Sequence, residues 1–360
     1  MKILYFWAEQ KNYMDQWQRI HFFDELERIN HTITVFNPLD YLSVEEANEN
    51  LLRYIYKEHK KPNLFMTCVP SKLLYPETIK YIKSLGIPTL LICFDNLHAP
   101  YIHKDIAPIF DLVWITSRET ELMFKKWGCK TVFMPYAANP YKYYPIKKEE
   151  IPAIGFVGTL YGARLNKIQN LTNNHLKCNI YSNSKTSIEH NYNVNSIKTF
   201  IELSKFSIGR KIITGALLSR IKANSSSIVC ESDNLKLYPS VNFEEMISLY
   251  SNLSISLGVT ELRNTYLLNK PIHKLHLRTF EIPMSGGLQL ASYSDELASY
   301  FENDKEIILY HDDEEMISKS KFYIREDNYN LRLKMKHNAH KRAINEHTWK
   351  LRFNSIFNML

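Results

Sequence analysis

Along the first 135 positions, short unbroken apolar runs alternate with segments in which apolar residues recur every three or four places. The runs are KILYFW (2–7), TITVF (32–36), LFMTCV (64–69), PTLLICF (88–94), DLVWIT (111–116) and TVFMP (131–135). Runs of that length without polar alternation predict strands buried on both faces. Between them, Met14, Trp17, Ile20, Phe22, Leu26 and Ile29 mark a helix over 14–29. A second helix is predicted over 44–58, with Ser43 as N-cap and Glu46 as its capping-box partner. Two more run over 76–85 and 117–127, each closed by a glycine, Gly86 and Gly128. Strands alternating with helices of this size predict a parallel sheet covered on both faces, one Rossmann-like domain.

The period then breaks. YAANPYKYYPIKKEEIP (136–152) holds three prolines and a charge run, and is read as a linker centred on 141–152 between domains 1–140 and 153–340. A second strand series follows: AIGFVG (153–158), CNIYS (178–182), SIVC (227–230), SISLGV (254–259), LQLAS (288–292) and IILY (307–310), with helices at 243–251 and 313–323. Residues 341–360 read as a C-terminal helix that can cross back to the first domain. The segment 185–226 fits this scheme least. From 190 to 226 it carries Lys198, Lys205, Arg210, Lys211, Arg220 and Lys222 against Glu202 alone, with apolar residues between them. Such a segment suits either a helix docked on its own domain or one lying on an anionic membrane surface.

Composition changes the picture little. With 45% hydrophobic and 23% charged residues, the 360-residue chain is an ordinary globular protein with room for two cores. The net charge of +7 divides as +1 over residues 1–150 and +6 over the rest, so a basic second half can attract phosphates or anionic lipid. Its basic residues are not interleaved with aromatics as a nucleic-acid stacking platform requires, which argues against nucleic acid as a partner. Five cysteines, Cys68, Cys93, Cys129, Cys178 and Cys230, lack C-x-x-C spacing and read as reduced thiols. The N-terminal apolar run is too short for a signal peptide, and the chain lacks the ~18 apolar residues of a membrane span. The expectation is a cytoplasmic protein, with peripheral attachment to the inner face of the membrane as a further option.

Glycine is scarce, ten in the chain, yet five of the ten fall in two segments. GFVGTLYGARLNKIQNL (155–171) runs from a strand through a glycine loop into a helix. Its helix N-terminus suits a phosphate, with Gly158 in the loop and Arg164 adding charge. The spacing is neither G-x-G-x-x-G nor a Walker loop. In NKPIHKLHLRTFEIPMSGGLQLASYSDEL (269–297), His273, His276 and Arg278 precede Glu281, which is read as opening a short helix. A carboxylate there can accept both hydroxyls of a ribose, and Ser285, Gly286 and Gly287 can turn backbone N–H groups towards phosphate.

Here the chain resembles a family. YPSVNFEEMISLYSNLSISLGV, HLRTFEIPMSGGLQL, SDELASYFENDKEIILYHDDEEM and EHTW before Arg352 resemble the C-terminal half of GT-B-fold glycosyltransferases, in the group-1-like branch with the CgeB spore-maturation proteins. The likeness covers about 120 residues, and GFVGTLYGAR and MPYAANPYKYYP resemble the family's domain junction. It implies an α/β fold of GT-B architecture, two Rossmann-like domains facing each other across a cleft. It implies a sugar transferred from a UDP-linked or similar donor to a glycan or lipid-linked acceptor, in surface polysaccharide synthesis, without cofactor. Glu281 would hold the ribose, Arg164 and the Ser285–Gly286–Gly287 turn the diphosphate, and Tyr238 to Val241 the base. Where many retaining relatives carry a second glutamate, eight residues before the first, this chain has His273, and His276 stands at the family's usual polar position. No aspartate pair has D-x-D spacing, which argues for a metal-free site. In LLICFDNLHAPY, Asp95 lies just past a predicted strand and can act as base on an acceptor hydroxyl, with His98 in reserve. A non-hydrolysing nucleotide-sugar epimerase and a catalytically silent binding module of the same architecture are the competing readings.

Overall fold

The computed structural model describes residues 1–10, 16–57, 61–97, 99–183, 197–222 and 231–360. The chain divides into two compact units, Met1–Asn139 with Thr348–Leu360, and Pro140–His347.

In the first unit the elements run β1 (Lys2–Phe6), α1 (Gln16–Gln18), α2 (Asp24–Arg28), β2 (Thr32–Phe36), α3 (Val44–Lys57), β3 (Leu64–Thr67), α4 (Pro76–Ser84), β4 (Thr89–Cys93), β5 (Leu112–Ile115), α5 (Glu121–Lys126) and β6 (Thr131–Phe133). A π turn over Arg19–Phe23 joins α1 to α2, so the helix expected over 14–29 is interrupted where Phe22 and Phe23 turn inwards. The six strands form one parallel sheet in the order β2-β1-β3-β4-β5-β6. All residues of β3, β4 and β5 are buried, as their unbroken apolar runs require. The Ser43 hydroxyl accepts from the Glu46 amide at 3.1 Å and caps α3.

The second unit repeats the plan with β7 (Ile151–Val157), α6 (Arg164–Asn173), β8 (Cys178–Tyr181), α7 (Ile197–Ser204), α8 (Ser207–Lys222), β9 (Leu235–Tyr238), α9 (Phe243–Asn252), β10 (Leu253–Gly258), α10 (Arg278–Met284), β11 (Gln289–Ser292), α11 (Asp295–Tyr300), β12 (Ile308–Tyr310), α12 (Asp313–Tyr323) and α13 (Tyr329–Glu346). Its parallel sheet has the order β12-β11-β10-β7-β8-β9. One face buries Ile154, Phe156, Ile255, Leu257 and Leu290 in a single core. Strand order reverses between β7 and β10, the point at which open α/β sheets take ligands at their carboxyl ends.

The edge strand pairing with β8 is LKLY (235–238), which the apolar pattern does not single out because Lys236 interrupts it; SIVC (227–230) lies outside the described residues. Helix α10 starts at Arg278, so Glu281 sits inside its first turn instead of opening it. The C-terminal segment is two helices, α13 and α14 (Trp349–Phe357), parted at His347. Helix α14 packs in the first unit. Its Trp349 is fully buried, with ring centroids 4.6 Å from Phe22 and 6.0 Å from Trp114. Glu25 accepts from the Trp349 and Lys350 amides at 3.2 and 2.7 Å, at the helix N-terminus where a carboxylate is favoured.

Candidate functional site

The site in the second unit begins where β7 ends. Gly158 has φ +133°, a conformation that a side chain rarely adopts, and its N–H donates to Tyr181 O at 3.0 Å. The loop that follows delivers Arg164 to the first position of α6, only 4% exposed. There Nη1 donates to Thr159 O at 2.6 Å and Nη2 to the Tyr161 hydroxyl at 2.9 Å, while the guanidinium lies 3.7 Å from the Tyr161 ring centroid. Arg278, at the start of α10, reaches the same place with its guanidinium 5.0 Å from the Phe156 ring. Its Nη1 is buried without a hydrogen-bond partner, and its Nη2 lies 2.6 Å from where a Cβ on Gly158 would stand. Arg263 adds a third guanidinium, 5.7 Å from the Tyr161 ring.

Among the described residues, neither Arg164 nor Arg278 is paired with a carboxylate. Burial, and then the charge of Arg278, push the Arg164 pKa down to about 9. Like charges held together at low exposure are unfavourable unless an anion joins them. The cluster sits beside the N-terminus of α6, whose first turn holds no acidic residue and whose free amides favour negative charge.

One turn into α10, Glu281 is 6% exposed and accepts from the Tyr143 hydroxyl at 2.6 Å. Tyr143 comes from the linker segment and is itself 2% exposed, edge-on to Phe243. His276 is half-buried just before the helix, its amide donating to Thr279 Oγ1 at 3.3 Å. The expectation for Ser285, Gly286 and Gly287 is overturned. Their amides donate to Glu281 O, Pro283 O and Ile282 O at 2.9, 2.9 and 2.8 Å, closing the end of α10. Gly286 has φ +72°, and a Cβ on it would meet the Pro145 ring at 2.9 Å; on Gly287 it would meet the Tyr250 carbonyl at 2.4 Å. These glycines serve helix termination and close packing, and their N–H groups are not presented to a phosphate.

At the ends of β8 and β9, Tyr181 and Tyr238 stack with centroids 4.8 Å apart and planes 13° apart; Tyr238 stays 37% exposed. Val241 precedes Asn242, the N-cap of α9. The structure thus gathers Gly158, Arg164 and Arg278 at one point and sets Glu281 one turn along the same helix.

In the first unit, Asp95 is exposed just past β4 with φ +52°. It accepts from the Tyr136 hydroxyl at 3.0 Å, and burial, then Asp95, push that phenol's pKa well up. His98 lies outside the described residues. Sequence reasoning passed over Tyr143, Tyr161 and Arg263. Only the tyrosine-rich linker gave any signal for the first of these, and nothing local marks the other two.

Residues 210–358 match the family described as glycosyl transferase-like, about two-fifths of the chain. A search of curated proteins finds no match. Among solved structures, an alpha-glucosyltransferase in complex with UDP and a mismatched DNA 13-mer is similar over 100% of this chain and 99% of its own, with TM-score 0.64 and 12% identity. Anabaena HepE in complex with UDP-glucose is similar over 100% of both chains, with TM-score 0.59 and 10% identity. Sucrose-phosphate synthase from Thermosynechococcus elongatus is similar over 99% and 98%, with TM-score 0.56 and 12% identity. The fold is therefore that of GT-B glycosyltransferases, and the second unit carries glycosyl transferase-like sequence.

Proposed function

We propose that the protein is a metal-independent glycosyltransferase that moves a sugar from a UDP-linked or similar nucleotide to a glycan or lipid-linked acceptor in surface polysaccharide synthesis. The observation that carries this reading is the pair of guanidiniums, that of buried Arg164 and that of half-buried Arg278 with its Nη1 enclosed, converging on Gly158 without a carboxylate. They supply positive charge where a diphosphate leaving group needs it, the work a metal does in other transferases. UDP-glucose in HepE and UDP in the alpha-glucosyltransferase support a uridine nucleotide as donor. In this reading Glu281, oriented by Tyr143, accepts from the ribose hydroxyls, and the base stacks beside Tyr238 near Val241. His276 flanks the same helix start.

The acceptor oxygen attacks the anomeric carbon as its proton passes to the Asp95 carboxylate. The bond from the anomeric carbon to the phosphate oxygen breaks, and its electron pair leaves with the nucleoside diphosphate. Asp95 suits that role by its exposure at the carboxyl end of a parallel strand, where the Tyr136 hydroxyl orients its carboxylate.

Calorimetry with UDP and UDP-glucose in excess chelator tests the reading. Binding should persist without metal. Glu281→Ala should weaken it by about 1.5–3 kcal/mol, the worth of hydrogen bonds to a charged group. No nucleotide binding by the wild-type protein, or full affinity in the variant, overturns it.

Attachment to anionic membrane belongs to the same proposal. Helix α8 turns Leu217 (51% exposed) and Ile221 (75%) outwards between exposed Arg210, Lys211 and Arg220, next to Phe200 and Ile201 of α7. Its opposite side is docked: Ile212 is buried and the Ser219 hydroxyl accepts from Asn264 Nδ2 at 3.0 Å. Each basic residue near an anionic surface contributes about 1 kcal/mol. Vesicles rich in phosphatidylserine should therefore carry the protein in flotation at low salt and release it as salt rises. Replacing Arg210, Lys211 and Arg220 with glutamine should abolish flotation while leaving nucleotide affinity unchanged.

A further inference from the structure

Three residues beyond β10, the chain places a carboxylate that the donor site described above does not use. Residues 259–262 run antiparallel to 272–274: Leu262 N donates to Ile272 O and Lys274 N to Thr260 O, both at 2.7 Å, and Glu261 stands opposite His273. Glu261 is 8% exposed. Its Oε1 accepts from the Ser292 hydroxyl at 2.8 Å and lies 3.4 Å from Lys167 Nζ. Its Oε2 is buried and has no hydrogen-bond partner.

An ionised carboxylate normally has its oxygens hydrogen-bonded when buried, and an open oxygen is left without the partner that water would give it. Lys167 does not remove that deficit. Its ammonium is shared with Asp313, 2.5 Å away, and both contacts leave Oε2 untouched. The neighbouring imidazole completes the arrangement. His273 Nδ1 lies 3.0 Å from Thr260 Oγ1, and burial lowers the ring's pKa, favouring the neutral form. With Thr260 donating to Nδ1, the ring proton stands on Nε2. The two residues, opposite each other across the paired segments, then offer one unfilled acceptor and one N–H donor. That pairing matches vicinal hydroxyls, which donate and accept at once. The setting is the carboxyl edge of β10, one strand from the end of β7 where the two arginines converge.

We propose that Glu261 is a sugar-recognising residue, its Oε2 accepting from a hydroxyl of the donor hexose while His273 Nε2 donates to the adjacent hydroxyl. This rests on the nucleotide-sugar reading of the second unit and adds to it the group that tells a sugar nucleotide from a bare nucleotide. Ser292, held at 3.0 Å from the Tyr310 hydroxyl, fixes the carboxylate from β11 and β12.

The experiment compares UDP with UDP-glucose, and GDP with GDP-mannose, by calorimetry on the full chain and on Glu261→Gln. The amide keeps the side chain's shape but replaces one acceptor oxygen with a donor. Expected is an unchanged nucleotide Kd, within about twofold, and at least tenfold weaker binding of the matching sugar nucleotide, the loss of roughly one good hydrogen bond. Equal affinities for the sugar nucleotide in both proteins, or a parallel loss of nucleotide and sugar nucleotide, overturns the proposal and leaves Glu261 a packing partner of Lys167. Wild-type protein that binds none of the four overturns the underlying reading as well. Should the glutamine variant not fold, Glu261→Asp keeps the charge opposite Lys167 and withdraws the carboxylate by one methylene. It should show the same selective loss, smaller in size, and no selective loss there also overturns the proposal.

Discussion

At Gly158 a hydrogen atom stands where any other residue would carry a methyl group, and that space is taken by the Arg278 guanidinium. Backbone conformation and side-chain proximity make the same demand: φ is +133°, and Arg278 Nη2 would lie 2.6 Å from a Cβ. Gly158→Ala should therefore lower stability by about 1–3 kcal/mol through strain alone. It should also push Arg278 off Phe156 and weaken UDP binding. Thermal denaturation and calorimetry read the two effects separately. A variant with wild-type nucleotide affinity would show that Arg278 has no part in holding the diphosphate. Buried guanidiniums are informative here because neighbouring carboxylates usually neutralise them. Arg332 does the opposite of Arg278: it is 2% exposed but forms a bidentate pair with Glu150, and reads as structural.

Elements were more legible in the sequence than their ends. Apolar runs marked eleven of the twelve described strands, because a parallel strand buried on both faces leaves no polar interruption. Strand β2 was found although four of its five residues are exposed or only partly buried, whereas β9 was missed because edge strands tolerate a charge such as Lys236. The glycines after α10 were located correctly and given the wrong task. A glycine signals that something approaches the backbone closely, but the sequence does not say what; here Pro145 and the Tyr250 carbonyl approach. Glu261 gave no signal, since its open oxygen exists only once 259–262 and 272–274 lie side by side.

Helix α14 carries a pH dependence of its own. Burial raises the Glu25 carboxyl from its ordinary 4.5 to about 7, against the opposing pull of the Lys350 and Trp349 amides. The folded first unit thus holds a proton that the unfolded chain releases near pH 4.5. The stabilisation this confers is complete below pH 4.5 and is lost as pH rises through about 7, a difference of roughly 3 kcal/mol. Urea unfolding followed by tryptophan fluorescence should give a lower midpoint at pH 8 than at pH 5. Glu25→Gln should remove most of that difference, and an equal pH dependence in both proteins would place the titration elsewhere.

For the whole molecule, the chain's end belongs to its beginning: Thr348–Leu360 is part of the first unit, while the residues proposed to hold the nucleotide all belong to the second. Trp349 touches Phe22, Trp114 and Phe353 in the aromatic core and is fully buried. Deleting such a ring costs about 3–5 kcal/mol. Because each unit has its own sheet and core, unfolding need not be a single transition, and one stability value would mislead. Differential scanning calorimetry should resolve the consequence. Trp349→Ala should lower the transition of the first unit and leave the Kd for UDP within about twofold. UDP at 100 times its Kd should raise the transition of the second unit, by about 2.7 kcal/mol, in wild type and variant alike. Loss of UDP affinity in Trp349→Ala without any change in melting would reverse this division of labour and put part of the nucleotide site in the first unit.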